Sequence, residues 1–433
     1  MVSHNIVCGQ LLYYSQSRSR FTPSYLSQKV KLPHHLRATI SLPSSKSICN
    51  RALIIAALSG KQTQLRNLSD CDDTRVLVRA LQSEEEVIDI MAAGTAMRFS
   101  TAYFSSTPGT HIVTGTERMR QRPIGVLVEA LRQLGADISY VDAEGFPPLR
   151  IQGKPLKGGS ISLPANVSSQ YISALLMVGP TLAEGLCLHL EGTIISRPYI
   201  EMTLSLMRQF GAQAEWTDET TIRVAPQPYR PLKAFSVESD WSAASYWYEL
   251  VALSPDPAAR IVLPYLFKDS LQGDARIQEF FRPLGVHTEF TPEGVVLTKK
   301  AQDAPAVLRL DLSEQPDLAQ TLVVTCAMLR QPFHFTGLQT LKIKETDRIT
   351  ALRTELQKMG ICIEEAHDSE LFCYNSSAAE LPPNAFISID TYDDHRMAMA
   401  FAPCTYRYPQ LRINHPEVVS KSYPAFWQHL ENL

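Results

Sequence analysis

The chain has 433 residues, 45% of them apolar and 20% charged, and a formal net charge of -3. Such a length exceeds one compact core and fits two domains, and the near-neutral charge excludes a general nucleic-acid binder, so any cationic site must be a local concentration. Eight cysteines without a CxxC pair or metal-ligand spacing point to reduced thiols, and no apolar run reaches the ~18 residues of a membrane span, so neither a metal nor a membrane is expected.

The first stretch, MVSHNIVCGQLLYYSQSRSR, is basic, Ser-rich and free of acids, in the manner of a transit peptide. No acid occurs before Asp70, however, so that absence does not single out the tail. Residues 1–35 are expected to be an extension, disordered or processed, with the fold beginning near Val30.

From Leu42 to Gly60 the chain reads LPSSKSICNRALIIAALSG. Serines stand where a helix should begin, Ile48, Ala52, Ile55 and Ala56 follow at helical spacing, and Gly60 ends it. Lys46 then sits in the first turn, where the helix dipole disfavours a cation by about 0.3–1 kcal/mol. An anionic ligand reverses that sign, with Ser47 and Arg51 on one face to share it.

Four later segments each run from a helix through an apolar residue and Gly into a strand, a turn and a second strand. Their glycines, Gly135, Gly211, Gly285 and Gly360, are separated by 76, 74 and 75 residues, which marks a repeated α/β unit. One period earlier a helix begins at Asp73, but the strand pair after it shrinks to a few acids and one short apolar run before Met91, so the first unit is truncated. Strands in tight pairs between helices predict an α/β or α+β fold.

Basic residues recur at predicted helix starts: Gly94-Thr95-Ala96-Met97-Arg98, Arg122-Pro123, Arg197-Pro198, Lys344-Glu345-Thr346-Asp347-Arg348 and Asp393-Asp394-His395-Arg396. Acids are the usual residents there. A solvated salt-bridge network accounts for the motifs that carry their own acids, but not for Arg98, Arg122 or Arg197. The set therefore predicts helix N-termini converging on a small polyanion. Ser168-Ser169-Gln170, Asp240 and Asp317 occupy equivalent starts, where a carboxylate among cations suits a general base. There is no HExxH, no phosphate loop of the GxxxxGK[ST] type and no GxGxxG, so no metal and no nucleotide cofactor is expected. These residues by themselves do not name a reaction.

Ten stretches in order, among them LPSSKSICNRALIIAAL, AGTAMR, VSSQYISALLM, PDLAQT, IKETDRITALRTEL, YDDHRMAMAFA and SKSYPAFW, closely resemble the 5-enolpyruvylshikimate-3-phosphate synthases, a family of enolpyruvyl transferases (3-phosphoshikimate 1-carboxyvinyltransferases). The resemblance runs from about residue 36 to the end. It implies two similar domains of repeated βαβαββ units in an inside-out α/β barrel, one spanning 46–237 and the other 36–45 plus 238–433. It also implies transfer of the enolpyruvyl group of phosphoenolpyruvate to the 5-hydroxyl of shikimate 3-phosphate, in the shikimate pathway to chorismate and aromatic amino acids.

Carried onto matching positions, Ser47, Arg51, Ser168, Ser169, Gln170, Ser196, Tyr199, Asp317 and Lys344 would hold shikimate 3-phosphate. Lys46, Gly94, Arg122, Gln170, Arg348, Arg396 and Lys421 would hold phosphoenolpyruvate, and Asp317, Glu345 and Lys46 would move protons. The resemblance further implies no cofactor and a cytoplasmic monomer, plastid import being the less favoured location. Departures stand at Ala92 (usually Asn), Phe99 (usually Pro), Thr340 (where an Asn is expected) and in the truncated unit at 73–91. Two alternatives stay open: the related UDP-N-acetylglucosamine enolpyruvyl transferases, whose reactive cysteine is missing from the loop GTERMRQRP, and a catalytically silent anion binder.

Overall fold

The structure is a computed structural model that describes residues 27–60, 63–166, 168–194, 197–367, 369–374, 381–382 and 384–433. The chain forms two compact units, one containing Ser44–Val237 and the other combining residues 27–43 with Glu238–Leu433.

Two short strands come first, β1 (Ser27–Lys29) and β2 (Arg37–Thr39), and both belong to the second unit. The first unit then runs α1 (Lys46–Leu58), β3 (Gln64–Arg66), α2 (Asp72–Gln82), β4 (Val87–Asp89), α3 (Gly94–Ser106), β5 (Gly109–Thr114), the single turn α4 (Glu117–Arg120), α5 (Gly125–Gln133), β6 (Asp137–Tyr140) and β7 (Leu149–Gly153). It continues with β8 (Gly159–Pro164), α6 (Ser169–Val178), β9 (Leu186–Glu191), α7 (Arg197–Gln209), β10 (Ala214–Trp216), β11 (Thr221–Val224) and β12 (Ala234–Ser236).

Two of its sheets share one plan. β4 pairs parallel with β5, and the β6–β7 hairpin docks antiparallel on β5; β8, β9 and the β10–β11 hairpin repeat the pattern. The third sheet is only β3 beside β12. Residues 83–86 connect α2 directly to β4 of the next sheet, so the hairpin missing from the sequence pattern is missing from the fold.

The second unit contains α8 (Trp241–Leu253), β13 (Arg260–Pro264), α9 (Ile277–Phe281), β14 (Val286–Thr291), β15 (Gly294–Lys299), β16 (Leu308–Asp311), α10 (Ala319–Leu329), β17 (Phe333–Thr336), α11 (Arg348–Gln357), β18 (Glu364–Ala366), β19 (Glu370–Cys373), β20 (Ser388–Ile389), α12 (His395–Phe401), β21 (Arg412–Asn414) and α13 (Phe426–Glu431). β2 and β13 with the β14–β15 hairpin, and β16 and β17 with the β18–β19 hairpin, follow the same plan. In the third sheet β20 runs parallel to β21, and β1 supplies the antiparallel strand on the other edge of β21.

This pairing corrects the expected extension at 1–35. Residues 27–29 are a strand of the second unit, and Val30 and Leu36 are buried in the same hydrophobic core as Trp247, Leu250 and Ile261. The rest of the expected extension, residues 1–26, lies outside the described residues.

The repeat glycines share one backbone role. Gly135, Gly211, Gly285 and Gly360 have φ of +103°, +81°, +86° and +76°. At three of these ends the following amide reaches back to the helix, as in Ala136 N to Leu131 O at 2.9 Å, Ala212 N to Met207 O at 3.0 Å and Ile361 N to Leu356 O at 3.0 Å. A left-handed residue at this point closes the helix and reverses the chain, and glycine adopts it without strain.

Candidate active site

In the first unit, Ser45 caps α1 by accepting the Ile48 amide, which leaves Lys46 as the first helical residue with no acid in that turn. Its Nζ lies 3.5 Å from Asp73 Oδ2, a buried carboxylate in the first turn of α2. Arg51, one turn further along, is 2% exposed. It donates to Thr203 Oγ1 (2.7 Å), Ser173 Oγ (3.0 Å), Ser47 O (3.0 Å) and Tyr199 O (3.5 Å). Its guanidinium also faces the rings of Phe99, at 5.4 Å, and Tyr199, at 6.0 Å. Burial pulls its pKa down to about 10. With four of its donor directions used inside the protein, Arg51 braces α1, α3, α6 and α7 more than it faces a ligand.

Gln170, in the first turn of α6, donates to Thr95 Oγ1 at 3.1 Å, in the first turn of α3. Ser168 caps α6 by accepting the Gln170 amide, and Ser169 is its first helical residue. Beside Thr95, Gly94 opens α3, and the Arg122 guanidinium lies so close that a Cβ at Gly94 would be 2.6 Å from Arg122 Nη1. The absence of a side chain at 94 is what admits the arginine. Thus Gly94, Thr95, Arg122 and Gln170 form one group, and Ser47, Arg51 and Tyr199 another. Ser196 lies outside the described residues.

Two local expectations need correction. Pro123 is not the first residue of a helix: α4 ends at Arg120 and α5 begins at Gly125, so Arg122 belongs to a loop. Arg98 is buried and bonds to Gly94 O at 3.0 Å and Pro123 O at 3.4 Å, which ties that loop to α3. An arginine that satisfies backbone carbonyls needs no acid nearby in sequence, so its place at a helix start did not require a ligand.

The second unit gathers charge more densely. Asp317 lies in a 3-10 turn ahead of α10, and its side chain is 20% exposed. Arg396 Nη2 is 2.8 Å from Asp317 Oδ2, while Arg348 Nη1 (3.2 Å) and Lys344 Nζ (3.6 Å) approach Oδ1. Arg348, the first residue of α11 and 1% exposed, also binds Asp394 Oδ2 through Nε (2.7 Å) and Glu345 Oε2 through Nη2 (3.0 Å). Lys421 Nζ donates to Glu345 Oε1 at 2.6 Å. Burial alone pushes Glu345 up, but Lys421 and Arg348 outweigh it and hold its carboxyl well below the usual range. Lys344 and Glu345 precede α11 rather than opening it, because the cap is Asp347.

Sequence reasoning left three members of this group without a role. Asp394 caps α12 through the Arg396 amide while clamping Arg348, and its motif was legible as a helix start only. The Tyr246 hydroxyl lies 3.4 Å from Arg396 Nη1, and burial pushes its pKa up to about 12. Asp274 accepts the Ser242 hydroxyl; burial first and Asp317 second push its pKa to about 7. Nothing in the local sequence QGDARI signals that.

The arrangement offers two sets of anion-binding groups, one in each unit, with a carboxylate that can accept a proton at Asp317 and another at Glu345. Among the described residues no His, Cys, Asp and Glu cluster fits a metal ion, and no helix is long and apolar enough to cross a membrane.

The family model described as EPSP synthase (3-phosphoshikimate 1-carboxyvinyltransferase) matches residues 30–84 and 76–430. A 3-phosphoshikimate 1-carboxyvinyltransferase of Bacteroides fragilis (strain YCH46) is 59% identical over 400 residues, covering 92% of this chain and 95% of its own. One from Shewanella pealeana is 35% identical over 422 residues, covering 91% and 96%. A solved structure of EPSP synthase from Acinetobacter baumannii superposes with a TM-score of 0.72 at 20% identity, over 94% of this chain and 98% of the other, which shows the shared fold.

Proposed function

Because the chain belongs to the EPSP synthase family, we propose that Asp317, Glu345 and Lys46 carry that family's chemistry here. The reaction is transfer of the enolpyruvyl group of phosphoenolpyruvate to the 5-hydroxyl of shikimate 3-phosphate, with release of phosphate. The observation that supports the residue assignment best is Asp317: a partly exposed carboxylate within 3.6 Å of Lys344, Arg348 and Arg396.

Each substrate carries a phosphate and a carboxylate. In the second unit Arg348, Arg396 and Lys421 are assigned to phosphoenolpyruvate, and in the first unit Lys46, Gly94, Arg122 and Gln170 carry the same assignment by the family resemblance, arginine forks suiting both anionic groups. Ser47, Ser168, Ser169, Gln170 and Tyr199, with Lys344 and Asp317, take shikimate 3-phosphate, and Ser196 is assigned with them. Arg51 serves the same substrate by fixing Tyr199 and the start of α1.

In the addition step the 5-oxygen bonds to C2 of phosphoenolpyruvate as Asp317 takes the hydroxyl proton and C3 gains a proton to become a methyl group. The Lys46 ammonium is suited to deliver it. In the elimination step Glu345, kept ionised by Lys421 and Arg348, removes a proton from that methyl group, and the C2–O bond to phosphate breaks. Cations around the phosphate stabilise the charge it carries away.

Against the UDP-sugar alternative stand the names of the two relatives described above, both 3-phosphoshikimate 1-carboxyvinyltransferases, and a silent binder has no need of the Asp317 and Glu345 arrangement. A cytoplasmic monomer is the state this reading favours, since one chain supplies every assigned contact and the substrates are too highly charged to cross a membrane unaided. Purified protein should release phosphate only when both phosphoenolpyruvate and shikimate 3-phosphate are present. Binding without turnover would favour the silent homologue, and turnover with the UDP-sugar would transfer the chain to the rival activity.

A further inference from the structure

α11 holds the segment before α12 at two points seven residues apart, and only one of them touches the charged cluster. Arg348 grips Asp394 at the front. At the back stands Glu355, on the same helix face two turns on and 0% exposed. Glu355 Oε1 accepts the Tyr392 hydroxyl at 2.6 Å, and Oε2 accepts the Asp390 amide at 3.1 Å. Lys358 Nζ, 2.7 Å from Glu355 Oε2 and 2.8 Å from Asp390 Oδ2, balances the buried charge.

What Glu355 holds is an unfavourable turn. Asp394 N bonds to Thr391 O at 2.8 Å, and the two residues between them, Tyr392 and Asp393, have φ of +54° and +55°. Turns with two left-handed central residues favour Asn and Gly, and a tyrosine there is a genuine outlier. Such a backbone persists only where its surroundings over-determine it. The turn ends on Asp394, which caps α12 through the Arg396 amide at 2.9 Å. Arg396 and Asp394 therefore take their places from a backbone that relaxes if its anchor is lost.

We propose that Glu355 is a positioning residue for the transferase reaction: through Tyr392 it fixes the left-handed turn that aims Asp394 and Arg396. This rests on the reading of Arg348 and Arg396 as phosphoenolpyruvate ligands. It assigns to Glu355 and Tyr392 a selective effect on one substrate, although neither belongs to the cluster that the substrate meets.

The test uses the full chain, with Glu355→Gln and Tyr392→Phe measured separately for the KM of each substrate. Both variants should raise the KM for phosphoenolpyruvate about tenfold, the scale of one weakened charge-assisted contact, and leave that for shikimate 3-phosphate within about twofold. Asp393→Gly, which supplies the glycine such a turn prefers, should restore most of the loss in the Glu355→Gln background. Circular dichroism and thermal melting identify a variant that fails to fold, in which case the other variant and the rescue decide. Wild-type turnover with both KM values unchanged in the variants, or raised equally without rescue by glycine, overturns the proposal. Absence of wild-type turnover instead overturns the functional reading on which it stands.

Discussion

Arg396 and Asp317 meet at 2.8 Å, and the same arginine reaches the Tyr246 hydroxyl through its other terminal nitrogen at 3.4 Å. The arginine arises from the first turn of α12 and the aspartate from the turn before α10, so the pair ties two helix starts together. Arg348 links Asp317 onward to Asp394 and Glu345. Four cations and three carboxylates thus hold one another, and under the proposed assignment an incoming phosphate draws Arg348, Arg396, Lys344 or Lys421 part of the way from its partner. Binding and freeing of the Asp317 carboxylate are coupled for that reason.

Asp317→Asn keeps the shape of the side chain and removes its charge and proton affinity. Turnover should fall by about 10²–10⁴-fold, the range for losing a positioned general base, while the KM for phosphoenolpyruvate changes much less. Steady-state kinetics with each substrate varied in turn measures both. Near-normal turnover would remove Asp317 from the chemistry.

Asp274 makes a prediction about pH. Its pKa is raised by burial and by Asp317 to about 7, with Ser242 and Arg396 opposing and Asp240 adding to the rise. A carboxyl that binds its proton more tightly when folded stabilises the fold in acid, and its penalty grows as pH climbs from ~4, its unfolded value, toward about 7. Asp274→Asn should therefore melt higher than the parent at pH 8, by roughly 2–4 °C for each ~1 kcal/mol of relieved penalty, with the advantage gone near pH 4. Melting curves at the two pH values decide it; an equal shift at both would place the effect in packing rather than in ionisation.

Much of this architecture was legible because the repeat has a mechanical signature. Gly135, Gly211, Gly285 and Gly360 recur where the chain must turn left-handed, so their spacing exposed the unit before any contact was known. The absent hairpin after α2 was legible for the same reason, as a break in a period. Less legible were contacts made over long sequence separations. The β1 strand at 27–29 pairs with Arg412–Asn414, and no local pattern in a Ser-rich basic tail announces a partner so far along the chain. Asp274 beside Asp317 is of the same kind. Arg98 failed differently, since its bonds go to backbone carbonyls, which leave no trace in side-chain identity.

The repeat glycines should not be equally replaceable. Gly285 and Gly211 have similar positive φ, so an alanine at either is strained by about 1 kcal/mol or more. A Cβ at Gly285 meets the backbone oxygen of Lys300 at 2.7 Å, whereas one at Gly211 meets the side chain of Arg230 at 2.9 Å. A long side chain can move aside more readily than a backbone carbonyl can. Gly285→Ala should therefore lower stability more than Gly211→Ala, measured by chemical denaturation; the reverse order would mean that crowding against the Arg230 side chain costs more than crowding against the Lys300 carbonyl.

Arg51 allows its two roles to be separated. As a brace it is held by Thr203, Ser173 and two carbonyls and covered by Phe99. Phe99 lies inside α3 and is fully buried, and it offers the arginine an aromatic face. Arg51→Lys cannot reproduce a planar fork with several acceptors, and it should cost about 3 kcal/mol or more by leaving a buried charge poorly paired. Phe99→Leu keeps most of the volume and should lose about 0.5–2 kcal/mol through the ring face, with that loss largely absent once Arg51 is already lysine. If Arg51 acts as a brace, the melting temperature falls together with a rise in the KM for shikimate 3-phosphate. A KM rise at unchanged melting temperature would instead make it a direct ligand, and the hydrogen bonds to Thr203 and Ser173 would then be the resting state of a side chain that turns to meet its substrate.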